Sequence, residues 1–413
     1  MSSSQEAAAP PRPCVGAGRG LSPFVLTLLA VEFLDELASG FGEAAWPLIR
    51  DDLRLSYVQV GVILSVPPLV GHFVEPALGV LGDVWRRRAL VLAGGVGFAA
   101  GTLLAGLSTG FAMLLAASIL SNPSAGAFVG LSQATLMDAA PERREQNMAR
   151  WALAGSVGNS VGPAAIGAFV WAGVSWRWGF VVSGVLMLLA VAAAWSQPFE
   201  APAASGPGRT RAAVFEGLRE ALRALRRGRV VRWLLLLQLG DFTYDILRGF
   251  LALYFVDVVG AGGGGAALAV AVWTWVGLAG DFALVPLLER VRGLKYLRVS
   301  TTFVLLLFPS MLLAEGFPAK LALLGLLGFA NAGWYAIIKS KLYDELPGQS
   351  GAAAMTLGNV FGLAGSLVPL ALGAYAEAYG LGPMMWLLAL GPAALLTGLL
   401  TVKERVKDEG GAG

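Results

Sequence analysis

The sequence predicts an all-α membrane protein of twelve transmembrane helices in two pseudo-symmetric six-helix bundles. Three observations predict it. Of 413 residues, 56% are hydrophobic and 14% charged, against about 25% charged in an average soluble domain. Apolar stretches of about 20 residues, the length that crosses a bilayer core, recur between charged or Gly/Pro breaks. The second half of the chain also repeats features of the first in the same order.

The twelve segments are expected near 22–47, 57–81, 89–108, 111–137, 149–173, 177–195, 231–256, 265–288, 296–314, 319–340, 352–375 and 383–402. The long polar stretch after the sixth divides them six and six. This gives a tail of residues 1–20, a first bundle over 21–197, a linker over 198–230, a second bundle over 231–404 and a tail over 405–413. The first 20 residues are polar and Pro/Gly-rich, read as a disordered tail with no cleavable signal peptide.

The first segment carries VEFLDELASGFGE, Val31 to Glu43. At 100° per residue, Glu32, Asp35, Glu36 and Glu43 fall within roughly a 100° arc. An uncompensated carboxylate costs at least a few kcal/mol at the bilayer centre, so this stripe faces protein or a water-filled cavity. Glu32 and Asp35 sit near the midplane and are the leading proton or cation sites, with Glu36 beside them. Burial and neighbouring negative charge both favour the protonated form of a carboxylic acid. A permanent ion pair with a basic residue is the structural alternative.

Lys and Arg concentrate in the two tails and the loops after even-numbered segments, including Arg86, Arg87, Arg88, Arg143, Arg144, Arg290, Arg292 and Lys295. The opposite side carries Arg50, Arg54, Arg177 and Lys320. By the positive-inside rule both termini are cytoplasmic, as expected in a bacterial inner membrane. The clustering is an orientation signal, not a nucleic-acid footprint. Within the linker, Val214, Leu218, Leu222 and Leu225 share one helical face and Arg211, Arg219, Arg223 and Arg226 the other, the pattern of a helix lying on the membrane surface. Cys14 is the single cysteine and His72 the single histidine, which excludes an intrachain disulfide and a His-rich metal site.

At an offset of 206 residues, Glu75 meets Asp281, Asp83 meets Glu289, Asp138 meets Asp344, Pro141 meets Pro347, Ser160 meets Ser366, Pro163 meets Pro369 and Gly167 meets Gly373. At 209, Glu32 meets Asp241, Phe33 meets Phe242, Glu36 meets Asp245, Gly40 meets Gly249 and Phe41 meets Phe250. Parallel repeats of this kind place a substrate site between the halves, near the midplane, reached alternately from each side.

After the second segment, GVLGDVWRRR resembles the signature of the major facilitator superfamily between its second and third helices. Gly79, Asp83, Arg87 and Arg88 match, whereas Val84 replaces a basic residue and Arg86 a glycine. The resemblance implies a gating latch, with Asp83 held by arginines and a helix N-terminus until the inner gate opens. In the fifth segment, AGSVGNSVGPAAIG resembles a pattern common among the superfamily's antiporters. Gly158, Gly162, Pro163 and Gly167 match, and Ala154 and Ile166 replace glycines. Small residues at this spacing let helices approach closely, so packing alone also accounts for it. Many exporters of the superfamily carry an arginine in the fourth helix, four residues before a glycine. Asn122 stands there, ahead of Gly126, so coupling falls to the carboxylates of the first segment.

The remaining charged and aromatic residues complete the candidate site. Asp241, Asp245 and Arg248 share one face of segment 7, where Asp245 can hold Arg248 one turn on. Lys339 and Lys341 stand in segment 10. His72 and Glu75, three residues apart, suit a proton relay, and less readily a divalent-metal site. The pairing of Glu75 with Asp281 suggests coupling or gating. Tyr244, Tyr254, Trp273, Trp275, Trp334 and Tyr335 are candidates to stack on a substrate or bind an organic cation.

The expected function is proton-coupled secondary transport of a small organic solute, as an exporter exchanging a cationic or amphiphilic compound for protons. The protein is expected to act as a monomer in the bilayer, with no cofactor beyond the coupling ion. A proton-driven importer, a divalent metal-ion transporter and a non-transporting receptor are alternatives on the same scaffold. Neither a nucleotide-binding Gly-Lys loop nor a nucleophile with its base is visible, so no enzyme is expected.

Overall fold

The computed structural model describes residues 22–84, 87–140, 143–197, 223, 226–345 and 362–402. The linker of residues 198–225, apart from Arg223, and both tails lie outside the described residues.

Apolar runs become helices where local chemistry starts and stops them. Ser22 accepts the Val25 N–H at 3.3 Å and Pro23 opens the first turn, so α1 (Pro23–Leu53) starts sharply. It ends at Arg54, whose φ of 52° is left-handed. The first bundle continues with α2 (Tyr57–Val84), α3 (Arg87–Gly106), α4 (Phe111–Ala125), a π turn (Gly126–Gly130), α5 (Leu131–Ala139), α6 (Arg144–Trp171) and α7 (Trp176–Trp195). The second comprises α8 (Gly228–Asp257), α9 (Gly263–Leu288), α10 (Gly293–Leu313), α11 (Phe317–Ala330), α12 (Trp334–Asp344), α13 (Val368–Tyr379), α14 (Leu381–Leu387) and α15 (Leu390–Thr401).

Among the described residues, nine helical rods are long and apolar enough to cross a membrane. Two of them are α4 with α5, and α11 with α12. α1 and α8 are longer still, at 31 and 30 residues, and carry acidic groups at mid-length. The eleventh expected segment is described only from residue 362, and it ends at Tyr379 rather than 375.

In the first bundle α1 packs on α6, and α3 on α4 and α7; in the second, α9 packs on α11, and α15 on α8 and α10. The halves meet through α2 against α13, α6 against α9, and α1 against α8. Several cross-half polar contacts gather towards the face carrying the α1–α2 turn. Arg50 pairs with Asp257, whose carboxylate also accepts the Tyr57 hydroxyl at 2.6 Å. The Tyr57 N–H donates to Glu377 at 2.8 Å, and deeper in, the Leu370 N–H donates to Ser65 Oγ at 2.9 Å. The first turns of α2 and α13 are thus capped reciprocally, each by a side chain of the other helix.

Three of the four basic residues on this face have side-chain partners. Arg50 closes the halves, and Arg54 forms the left-handed end of α1. Arg177 donates to the Gly106 and Ser108 carbonyls after α3 and pairs with Asp52 at 2.9 Å. Lys320 is buried, donating to the Met311 and Leu312 carbonyls at 2.9 and 2.8 Å and to Tyr254 Oη at 3.0 Å. Unpaired carbonyls at a helix end are costly away from water, and these two cations satisfy them.

The small residues of α6 fit against α1. A methyl group on Gly162 would stand 2.6 Å from the Gly40 carbonyl carbon and 2.8 Å from the Leu37 oxygen, both backbone atoms. On Gly167 it would meet only the Ala267 Cβ, at 3.7 Å. Gly162→Ala is therefore expected to cost about 1–3 kcal/mol by overpacking, and Gly167→Ala almost nothing. Thermal unfolding of the two purified variants checks the contrast.

Candidate functional site

The acidic stripe of α1 lies where α1 meets α6 of its own bundle and α8 of the other. Each carboxylate has different surroundings. Glu32 accepts the Trp151 indole N–H, and its carboxylate lies over Gly155, where any Cβ would be only 2.6 Å from Oε1. Glu36 accepts the Asn159 amide at 2.8 Å. Among the described residues, Asp35 has no hydrogen-bond or ion-pair partner, and no basic side chain pairs with Glu32.

Glu43 crosses to the other half. Arg248 of α8 holds it through two parallel bonds, Nε to Oε2 and Nη2 to Oε1, each 2.8 Å. This corrects the expectation that Asp245 holds Arg248. The fork of a guanidinium meets a carboxylate best face to face, and Glu43 offers that geometry from α1, while Asp245 feels Arg248 and Glu36 only through space. The guanidinium lies over the Tyr244 ring, 5.2 Å from its centroid, and that ring tilts at 37° against Trp273 of α9, 5.7 Å away. Tyr244, Asp245, Arg248, Trp273, Glu36 and Glu43 thus form one layer between the halves.

Glu75 and Asp281 sit at equivalent irregularities. Glu75 packs its Cγ over Gly126, the first residue of the π turn interrupting the α4–α5 rod. Asp281 accepts the Gly333 N–H at 3.0 Å, in the turn that breaks the α11–α12 rod. The 206-residue offset that carries Glu75 onto Asp281 also carries Gly126 onto Ala332. Each carboxylate therefore stands against the interruption of a fourth helix in its bundle, and such interruptions recur at functional sites.

The other expected residues fall in several places. Asn122 lies against Gly71, one turn before Glu75. His72 faces Gly362 of the other half with Nε2, and its buried Nδ1 has no partner among the described residues. No group of three or more His, Cys, Asp or Glu suited to a metal ion occurs among the described residues. Trp334 is buried and donates to Ser300 Oγ at 2.9 Å, inside the second bundle. Tyr335 is exposed and accepts from Lys339 at 2.6 Å. Trp275 donates to the Ser160 carbonyl across the halves at 2.8 Å. Arg87 is buried and pairs with Asp138 at 2.7 Å, and Arg88 donates to the Trp195 carbonyl. Pro163 lies within α6 beside Gly40. The side chains of Asp83 and Asp241, and the surroundings of Gly79, lie outside the described residues.

A family model described as Major Facilitator Superfamily matches residues 28–369. The chain belongs to this superfamily. Among curated relatives, an uncharacterised MFS-type transporter of Mycobacterium tuberculosis is 31% identical over 174 residues, covering 41% of this chain and 30% of the relative. A multidrug efflux pump of Staphylococcus aureus is 24% identical over 172 residues, covering 40% and 37%. These matches span well under half the length of those relatives. Among solved structures, a nucleoside transporter aligns with a TM-score of 0.74 at 13% identity, covering 91% of this chain and 99% of that one. A bacterial homologue of the lysosomal transporter Spinster, inward-facing and unoccupied, aligns at 0.69 and 16% identity, covering 92% and 95%. At such identities the likeness is one of fold.

The chain thus has the integral-membrane fold of this superfamily, with the α1 carboxylates lying where the two bundles meet. Sequence reasoning missed Trp151 and Asn159 as partners of the stripe, and Tyr57, Asp257 and Glu377 as cross-half contacts. The first two were findable, because residues 151, 155, 158, 159 and 162 share one face of α6.

Proposed function

We propose that this facilitator-superfamily chain is a proton-coupled exporter, exchanging a cationic or amphiphilic organic compound for protons by alternating access. The observation that carries the reading is Asp35. It is half-buried at mid-length of α1, near Glu32 and Glu36, and among the described residues it has no cationic or hydrogen-bonding partner. A lone charge there is expensive, so a proton or a substrate cation neutralises it. Competition between the two for Glu32 and Asp35 is antiport. Asn122 supplies no arginine relay, which leaves the α1 carboxylates to couple directly.

The distribution of Lys and Arg supports cytoplasmic termini, an orientation in which the Arg50–Asp257 face is external and the conformation inward-facing. Protons enter from outside to Glu32 or Asp35 once this face opens, and the substrate departs in exchange. Glu75 and Asp281, at the interrupted helices, gate or couple the movement. The protein works as a monomer in a bacterial cytoplasmic membrane.

Proton flux in proteoliposomes tests this, with wild type, Glu32→Gln and Asp35→Asn screened against organic cations, neutral amphiphiles, anions and divalent metals. Wild type is expected to move protons opposite to an organic cation, and the variants to lose at least tenfold of that coupled flux. Co-directional movement would identify a symporter. Equal, proton-independent transport by wild type and variants would remove α1 from the coupling role.

A further inference from the structure

Arg248 is held by a carboxylate that the opposite conformation takes away. Glu43 belongs to the other half and accepts from Arg248 Nε and Nη2, each at 2.8 Å. The pair lies on the side that the Arg50–Asp257 contact closes. Glu43 is seven residues from Arg50 and Arg248 nine from Asp257, so at about 1.5 Å per residue the pair stands about two turns beneath that face. When the face opens, α1 and α8 separate there and the two charges part. Glu43 then meets the water of the opened mouth, whereas Arg248 needs a new counter-charge, because a stranded buried cation is costly.

One stands three residues back on the same helix. Asp245 is exposed, nearer the opposite face than Arg248, and has no ion pair or hydrogen bond among the described residues. Residues at this spacing are neighbours on a helix surface, and an Asp–Arg pair there is favourable. Glu36 is engaged elsewhere, since it accepts the Asn159 amide of α6 at 2.8 Å and acts on Asp245 and Arg248 only through space. Asp245 is therefore unpaired while the outer face is closed and is Arg248's nearest carboxylate once it opens. We infer that Asp245 binds the organic cation in the inward-facing conformation, and that Arg248, freed from Glu43 as the outer face opens, takes that carboxylate and displaces the cation outward. Each charge is then paired or hydrated at both ends of the cycle. The inference rests on the proposed export of organic cations and supplies the step that releases them.

Equilibrium binding of tetraphenylphosphonium and of the smaller benzyltrimethylammonium to the purified full-length protein, at fixed pH and without a gradient, tests this. Glu43→Gln keeps the shape at position 43 and removes the charge, so Arg248 turns to Asp245 before the face has opened. Affinity for the probes is expected to fall about tenfold. Adding Arg248→Gln removes the competitor and should restore the wild-type affinity, which a purely structural role for the pair would not do. Asp245→Asn should itself lower affinity about tenfold, and Glu43→Gln should then change nothing more. A wild type that binds neither probe, an unchanged affinity in Glu43→Gln, or a loss that Arg248→Gln leaves unrepaired would overturn the inference. Should Glu43→Gln fail to fold, Asp245→Asn decides, with spin labels on cysteines at Val174 and Glu315, exposed on the outer ends of the two halves, in a Cys14→Ser background. The distance between them should show a smaller outward-open fraction than in wild type, because Arg248 is stranded there, and an unchanged fraction overturns the inference. No proton gradient enters either measurement, so failed coupling leaves these results intact, and a failed displacement leaves coupling standing.

Discussion

A Gly167→Cys/Ala267→Cys variant, made in a Cys14→Ser background, is expected to crosslink under mild oxidation and to lose more than nine-tenths of its transport. Reduction should restore both. The positions belong to α6 and α9, on opposite sides of the cross-half interface, and a Cβ built on Gly167 stands 3.7 Å from that of Ala267. That separation lies within the range of about 3.5–4.5 Å that a disulfide needs. The chain has one native cysteine, Cys14, so a single substitution clears the background. Gel mobility with and without reductant reports the bond, and solute flux in the same vesicles reports its effect. Ready crosslinking with unimpaired transport would mean that this contact persists throughout the cycle, and the interface that opens would have to lie elsewhere.

The second large effect is expected at the Glu43–Arg248 pair. Removing one partner of a buried ion pair strands the other, at about 3–5 kcal/mol. The pair is mostly buried, with side-chain exposures of 16% and 20%. Arg248→Met and Glu43→Met alone should each lower thermal stability strongly, whereas the double Met variant should recover much of the loss. The charge-exchanged variant, Glu43→Arg/Arg248→Glu, separates packing from electrostatics, since it keeps the attraction and reverses its direction. A double-mutant cycle with a coupling energy near zero would show that the two bonds contribute nothing net.

Much of the fold was legible because lipid imposes a simple rule: each crossing needs about 20 apolar residues with its backbone bonds closed internally. The repeat at offset 206 located the equivalent carboxylates Glu75 and Asp281. What the sequence did not disclose was geometry across the interface. Arg248 has Asp245 as its neighbour one turn away, and nothing in helical arithmetic points to Glu43, 205 residues distant. The breaks at Gly126–Gly130 and at residues 331–333 were likewise hidden. Both lie within apolar runs, and no proline stands at either interruption. The aromatic candidates also sorted themselves only in three dimensions. Trp334 and Trp273 are both buried, yet the first has Ser300 as its acceptor and the second has none among the described residues.

The reciprocal capping of α2 and α13 sets a toll on the opposite conformation. When the halves part at the Arg50 face, Tyr57 and Leu370 lose the oxygens of Glu377 and Ser65 together. At the surface, water replaces Glu377 for Tyr57 at little cost. Leu370 is deeper, where its N–H depends on the water that enters the parted cleft. The nearest remedy is a carbonyl four residues back, that of Ser366, which lies in the irregular stretch before α13. Opening therefore favours winding this stretch into continuous helix, so the eleventh segment would lengthen and straighten as the bundles separate. Rigid rocking alone would then be an incomplete description of the cycle, because one helix would exchange a partner in the other bundle for a bond of its own.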